Sequence, residues 1–160
     1  MRVSAKVDYA VRAALELAAA PPGQLVKAPV IAEAQGIPLK FLENILQQLR
    51  QADLVESTRG PHGGHRLAHP PQDIAIADVI RAVDGPLGVV AGQRPEDVAY
   101  EGNAERLRDV WVAVRASLRT VLEHVTLAQV AGGRLPRQVA QLTTDEDAWH
   151  RRASARGSVR

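Results

Sequence analysis

The side chains best suited to recognition chemistry lie on one face of a predicted helix, residues 38–52. Its apolar stripe is Leu42, Ile45, Leu46 and Leu49, and its polar face is Lys40, Glu43, Asn44, Gln47 and Gln51. Amides pair with adenine, lysine pairs with guanine, and a carboxylate accepts a hydrogen bond from cytosine N4. The same pattern also fits the solvated face of an ordinary helix, so the helix alone does not decide between the two.

A glycine-rich loop follows this helix. Residues 59–64 read Arg-Gly-Pro-His-Gly-Gly and separate two short extended segments, 54–58 and 65–68. Glycines and a proline between short strands predict a β-hairpin. Glycines also allow the backbone to approach a phosphate or a groove closely, although a plain turn with a basic residue is the alternative. The candidate contacts in this loop are Arg59, Gly60, His62, Gly63 and Gly64.

The elements that must position these groups are short helices. We predict helices over residues 4–20, 28–35 and 76–83 in addition to 38–52, with Ser4 as the first N-cap. Gly36 ends the second helix, and Pro38 starts the third one two residues later. Three helices with a tight turn before the third, followed by a hairpin, form the layout of a winged helix-turn-helix.

The second half of the chain predicts a dimerisation helix. After a loop over residues 87–102, a helix capped by Asn103 is expected to reach Val130 or Ala131. Apolar residues spaced alternately four and three apart form a heptad seam, which a second copy of the same helix would cover. The alternative is a helix that lies on the core of its own domain. The seam comprises Leu107, Trp111, Val114, Leu118, Val121 and Val125, and continues to Ala128.

Composition narrows the function classes. The 160 residues contain no cysteine, which excludes disulfides, thiolate metal sites and cysteine nucleophiles. Aromatic residues make up 3% of the chain, too few to favour proteins that stack single-stranded bases, and the net charge is +2. No apolar run reaches the length of a membrane span and no secretory signal is visible, so we expect a cytoplasmic protein.

Several segments resemble the Rrf2 family of bacterial transcriptional regulators. They include the opening Met1–Val11, the stretch Ile31-Ala32-Glu33 and the helix segment Phe41–Leu46. The most specific matches are Leu49–Val55, which leads into Arg59–Ala68, and Ile80–Leu87. The similarity covers most of the first half of the chain, in the order and spacing of the family.

The resemblance implies roles for individual residues. It implies that Glu43 and Arg59 read bases or a groove, and that Tyr9 lies near the DNA, although a half-buried ring is an equal alternative for Tyr9. Pro38 begins the recognition helix, and Asn44 and His62 are candidate contacts from the residue pattern. The other positions that it implies near the DNA backbone or bases are Ser4, Lys6, Lys40, Gln47, Gly60 and Gly63.

The chain departs from the family in one respect. Many Rrf2 regulators hold an iron–sulfur cluster with three cysteines after the Asp-Gly-Pro-Leu stretch, and residues 88–102 contain none here. The cluster-sensing mechanism is therefore unsupported, and we expect no cofactor. Family members without these cysteines answer to other signals, including a protein partner. A small-molecule or protein effector would fit between the winged domain and the dimer helix, around residues 87–100.

Other chemistries have weaker support. His62, His65 and His69 suggest a metal site, but no carboxylate is regularly placed with them. No phosphate-binding glycine loop, nucleophile elbow or His-Glu-x-x-His pair is present, so we predict no enzyme. An alternative hypothesis is that the protein has this fold but acts as a regulatory module that contacts a protein partner instead of DNA.

These observations predict a mainly α protein with a small β-hairpin. We expect a winged helix-turn-helix domain over residues 1–86, a linker or sensor loop over 87–102, a dimerisation helix region over 103–142 and a disordered basic tail over 143–160. The expected partner is double-stranded DNA, and no membrane is expected to take part. We expect a homodimer that binds a pseudo-palindromic operator and acts most simply as a repressor.

Overall fold

The computed structural model describes residues 2–150. Its α-helices are α1 (Ala5–Ala19), α2 (Ala28–Gln35), α3 (Leu39–Gln51), α4 (Ile76–Asp84), α5 (Leu107–Leu122), α6 (Leu127–Ala131) and α7 (Arg137–Leu142). Its strands are β1 (Val55–Thr58) and β2 (Gly64–Leu67), and short 3-10 helices span Pro95–Asp97, Gly102–Ala104 and Glu146–Ala148. The predicted fold class, a mainly α protein with one hairpin, is confirmed.

Helix α1 forms the centre of the winged unit. The Ser4 hydroxyl accepts a hydrogen bond from the Val7 N–H at 3.2 Å and so caps the helix as predicted. The small side chains of Ala10, Ala13 and Ala14 are at most 1% exposed, which lets neighbouring helices approach closely. Helices α2, α3, α4 and α6 all pack against α1.

The turn between α2 and α3 follows from three residues. Gly36 adopts a left-handed conformation (φ 61°), and the Ile37 N–H donates to the Ala32 carbonyl at 2.9 Å. Ile37 is buried, which anchors the turn in the core. Pro38 precedes the first residue of α3 and accepts hydrogen bonds from the Phe41 and Leu42 N–H groups through its carbonyl. The turn fixes the direction of α3 relative to α2.

The wing is a two-stranded antiparallel hairpin joined to the helices. Strand β1 pairs with β2 in the register Val55 with Leu67 and Thr58 with Gly64. A further bridge joins Val26 to His65 through two backbone hydrogen bonds of 2.8 Å. Val55 is 2% exposed and belongs to the helical core. The hairpin therefore continues the domain at its base and projects its loop into solvent.

The predicted long helix ends earlier than the sequence pattern suggested. It is interrupted between Leu122 and Leu127, where Thr126 caps α6 through a reciprocal pair of hydrogen bonds with Gln129. The Val125 carbonyl accepts the Ile76 N–H at 2.9 Å, and Val125 and Leu127 are buried. Leu127 lies in the core of the winged unit and α6 packs against α1, so α6 is attached to that unit.

The end of the described chain also differs from the expectation. Residues 143–150 were expected in a disordered tail, yet they contain the 3-10 helix Glu146–Ala148, and the Trp149 indole donates to the Thr143 carbonyl at 2.7 Å. The rest of that predicted tail, residues 151–160, lies outside the described residues.

Candidate nucleic-acid interface

The exposed face of α3 carries uncommitted polar groups. Lys40, Glu43, Asn44 and Gln47 are exposed, while the apolar stripe on the opposite side is at most 2% exposed. Within residues 2–150 these four side chains have no hydrogen bond or ion pair with another group. A rigid helix thus presents free amides, one ammonium and one carboxylate outward, which is what base-edge readout requires.

Two of the predicted DNA contacts that precede α2, Ser4 and Lys6, form hydrogen bonds within the protein. Ser4 uses its hydroxyl as the α1 cap, and the Lys6 ammonium donates to the Val83 carbonyl at the end of α4 at 2.5 Å. Lys6 still lines a shallow groove together with Asn44 and Gln47. The groove lies beside α3, so Lys6 is close to the predicted interface although its ammonium has an internal partner.

Tyr9 occupies the position of a packed ring. Its ring meets Phe41 edge-on, with 5.7 Å between centroids and an interplanar angle of 86°. The Arg12 guanidinium lies 4.9 Å from the centroid of the same ring. This packing fits the half-buried ring that the sequence left open for Tyr9 and ties α1 to the start of α3, while a contact of Tyr9 with DNA stays a prediction.

The wing loop has an exposed tip and a tight base. Arg59, Gly60 and His62 are exposed, whereas Gly63 is buried. A Cβ on Gly63 would lie 2.1 Å from the Thr58 carbonyl oxygen, and one on Gly64 would lie 2.9 Å from the Val26 carbonyl oxygen. Close backbone contacts, with Thr58 in the hairpin and with Val26 bridged to it, therefore require both glycines. They shape the loop that carries Arg59, and a contact of their own with DNA stays a prediction.

Three unpaired cations of the described chain lie on this face. Lys40, Arg50 and Arg59 form no ion pair with any described residue, whereas Arg66 on the same wing binds Glu56 at 2.8 Å. An unpaired cation is available to a phosphate or to guanine without first breaking an internal contact. The electrostatic attraction of this face for DNA would therefore come from the two arginines and the lysine.

Arg50 was missed by the sequence analysis. It follows Gln47 by three residues and is exposed at the last turn of α3, so the helical spacing could have included it. Burial, followed by the nearby positive charge of Arg50, lowers the pKa of His65. His65 also bonds the Ser57 hydroxyl at 2.8 Å, so it links the strands as a neutral imidazole at neutral pH and adds no charge to the interface.

The three histidines considered for a metal site do not converge. His65 contacts Ser57, and the His69 Nε2 lies 3.1 Å from an Asp53 carboxylate oxygen. No group of three or more His, Asp or Glu side chains comes together as metal ligands anywhere in residues 2–150. The imidazoles of His65 and His69 therefore serve separate local contacts.

The predicted dimerisation seam is mostly confined to α5. No residue of α5 is buried, and Leu107 and Val110 are 36% and 50% exposed. The structure corrects the prediction for Val125: this residue lies in the connection after α5, outside the helix, and is 5% exposed, and its carbonyl accepts the Ile76 N–H of α4. The remaining predicted seam residues are half-buried: Trp111, Val114, Leu118 and Val121.

Comparison with known proteins gives a consistent assignment. Residues 3–133 match the Rrf2 family, described as iron-dependent transcriptional regulators. The chain is 54% identical to the Mycobacterium tuberculosis protein Rv1287, named as an HTH-type transcriptional regulator, over 91% of this chain and 90% of that protein. The structure of CymR, the global cysteine regulator of Bacillus subtilis, matches with a TM-score of 0.71 and 30% identity, covering 83% of this chain and 98% of that one. IscR from T. potens matches with a TM-score of 0.65 and 31% identity, covering 96% and 94%.

The iron dependence in the family description does not fit the residues of this chain. Clusters of iron and sulfide are held by cysteine thiolates, and the sequence has no cysteine. The loop after α4, residues 87–102, offers Arg94, Glu96 and Asp97 but no thiol. No step in the function of this protein is therefore assigned to an iron group.

Across residues 2–150, no helix combines the length and hydropathy of a bilayer span.

The fold, the polar face of α3 and the relatives agree on one class of protein, which regulates transcription and is not a class of enzymes. The chain belongs to the Rrf2 family of DNA-binding, winged helix-turn-helix transcriptional regulators.

Proposed function

We propose that this protein is a transcriptional repressor that binds a pseudo-palindromic operator as a homodimer. The observation that carries the proposal is the unpaired polar face of α3 beside an unpaired arginine on the wing. A helix that is buried on one side and free to hydrogen-bond on the other suits the major groove. The wing arginine suits a phosphate or the adjacent narrow groove.

Each exposed group on α3 has a preferred base partner. Asn44 and Gln47 can pair with the N6 and N7 atoms of adenine, and Lys40 can donate to the O6 and N7 atoms of guanine. Glu43 can accept from cytosine N4 and repels phosphates, so it adds discrimination rather than affinity. No described side chain caps the N-terminus of α3, which leaves its first amide N–H groups available to a backbone phosphate.

The dimer is proposed from the apolar stripe of α5, which comprises the predicted seam residues Leu107, Trp111, Val114, Leu118 and Val121 and, at its edge, Val110. The helix packs mainly on the 3-10 helix Pro95–Asp97 and on α4, and this packing leaves Leu107 and Val110 partly in water. No residue of α5 is buried in the single chain. Packing against the α5 helix of a second subunit, related by a two-fold axis, would remove the apolar stripe from water. Such an axis would place two copies of α3 roughly 34–36 Å apart, one turn of DNA.

Repression would follow most simply from occupation of the operator by the dimer. A dimer bound across a promoter excludes polymerase without any further contact, so the described elements suffice for this activity. The competing possibility is a module that uses the same fold to contact only a protein partner. That module would not need free amides and an unpaired arginine on one surface.

Selection from genomic DNA tests the proposal. Purified protein would be mixed with sheared DNA of its source genome and random competitor at moderate salt, and the retained fragments would be sequenced. We expect enrichment of a few promoter fragments over competitor by about 1,000-fold or more. Uniform retention, or retention that vanishes with competitor, would favour the protein-partner module instead.

A further inference from the structure

A cavity of about 460 Å³ lies where α4, the loop after it and α5 meet. Among the described residues, four arginines line it: Arg81 from α4, Arg94 from the loop, and Arg115 and Arg119 from α5. Among the residues of 2–150 that line the cavity, Glu96 is the only one with a carboxylate. The volume falls within the usual range for a small-molecule site, and the lining carries four arginines and one carboxylate.

The cations of this cavity are only partly neutralised. Arg115 binds Glu96 at 2.5 Å, and Arg81 and Arg119 share one oxygen of Glu123, which lies beside the cavity. Arg81 also pairs with Asp78 at 3.4 Å. Hydrogen bonds from the arginines lower the pKa of both Glu96 and Glu123, so both carboxylates are ionised at neutral pH. The Arg94 guanidinium acts on Glu96 only through its charge and forms no hydrogen bond or ion pair with any residue in 2–150.

We propose that this cavity binds a small organic anion through its phosphate or carboxylate groups. Arg94 supplies an uncommitted guanidinium, and Arg115 can turn donors that Glu96 does not use towards the ligand. Guanidinium groups form planar, paired hydrogen bonds with carboxylates and phosphates, which gives such a site both affinity and orientation. Glu96 competes with the ligand for Arg115 and therefore sets the affinity.

The geometry leaves the cavity open in the proposed dimer. On a helix with 3.6 residues per turn, Arg115 and Arg119 lie about 80° and 120° around α5 from the centre of the apolar stripe. The partner helix would cover the stripe and not this side. One wall of the cavity belongs to the winged unit and the other to α5, so a bound anion would bias the angle between them. This regulatory consequence rests on the proposed function, whereas anion binding does not.

Calorimetry without DNA tests the site. The full chain would be titrated with pyrophosphate in one series and citrate in another, at constant ionic strength, to separate phosphate from carboxylate recognition. We expect saturable binding of at least one of them, one per subunit, and an affinity loss of about tenfold or more in Arg94→Gln. Arg134→Gln removes an exposed, unpaired arginine elsewhere in the described chain and should bind as the parent does.

Two further variants distinguish binding in this cavity from a loss of structure and from binding at the wing. Glu96→Gln removes the competing carboxylate and should tighten binding several-fold, a gain that loss of structure would not produce. Arg59→Gln should leave anion affinity unchanged, because the wing is not part of the cavity. The proposal is overturned by an absence of saturable heat up to about 10 mM of both anions. It is equally overturned if Arg134→Gln or Arg59→Gln loses affinity as Arg94→Gln does.

Discussion

Replacement of Arg59 by alanine is expected to weaken binding to a selected operator by roughly 1–3 kcal/mol. The guanidinium is exposed at the tip of the wing and has no ion-pair partner among the described residues. Its removal therefore costs contacts with DNA and leaves no internal group unsatisfied. Fluorescence anisotropy with a labelled operator fragment measures the change directly.

Arg66→Ala is the matched control for this variant. Arg66 lies on β2 of the same hairpin, but its guanidinium is held by Glu56 at 2.8 Å. An exposed pair of this kind contributes little to stability, so the wing should fold normally in both variants. Equal operator affinity of Arg59→Ala and the parent protein would show that the wing arginine takes no part in recognition.

Replacement of Val110 by aspartate is expected to convert the dimer into monomers. Val110 is 50% exposed in the single chain and lies on the apolar stripe of α5. Two-fold symmetry would bring two carboxylates into one dry seam, which costs several kcal/mol for each buried charge. The dimer dissociation constant should rise by at least about 100-fold, measured by sedimentation equilibrium.

Val110 is better suited to this substitution than Trp111. Trp111 is half-buried, and its indole N–H is enclosed within its own subunit, so an aspartate there would also disturb folding. Val112→Asp is the matched control: Val112 is 36% exposed on the same helix, about 160° around from Val110. A dimer that survives Val110→Asp, or dissociates equally in Val112→Asp, would mean that the seam is placed wrongly.

The winged unit was readable from sequence because its signals are local. Ser4 as a cap, Gly36 before Pro38, and glycines flanking short strands each act within a few residues. The polar face of α3 followed from helical spacing alone. These local rules agree with the tertiary structure, which is why the helix order and the hairpin were predicted correctly.

The dimerisation helix was predicted too long because tertiary packing overrides the local pattern there. The heptad spacing continues through Val125, yet the helix ends at Leu122, because the Val125 carbonyl bonds the Ile76 N–H of α4 and Leu127 lies in the core of the winged unit. The signal that could have revealed this break is the Thr126–Gln129 capping box. The internal contacts of Lys6 and Tyr9 are made with Val83 and Phe41, which are distant in sequence, so periodicity could not predict them.

Hydroxyl-radical footprinting on a selected genomic fragment tests the central claim most directly. That claim is that two copies of α3, each supported by a wing, are presented by one dimer to one duplex. We predict two protected patches on the same face of the DNA, centred about one helical turn or a multiple of it apart, over an inverted repeat. A single patch, or protection without any repeat, at concentrations where the protein is dimeric would contradict it.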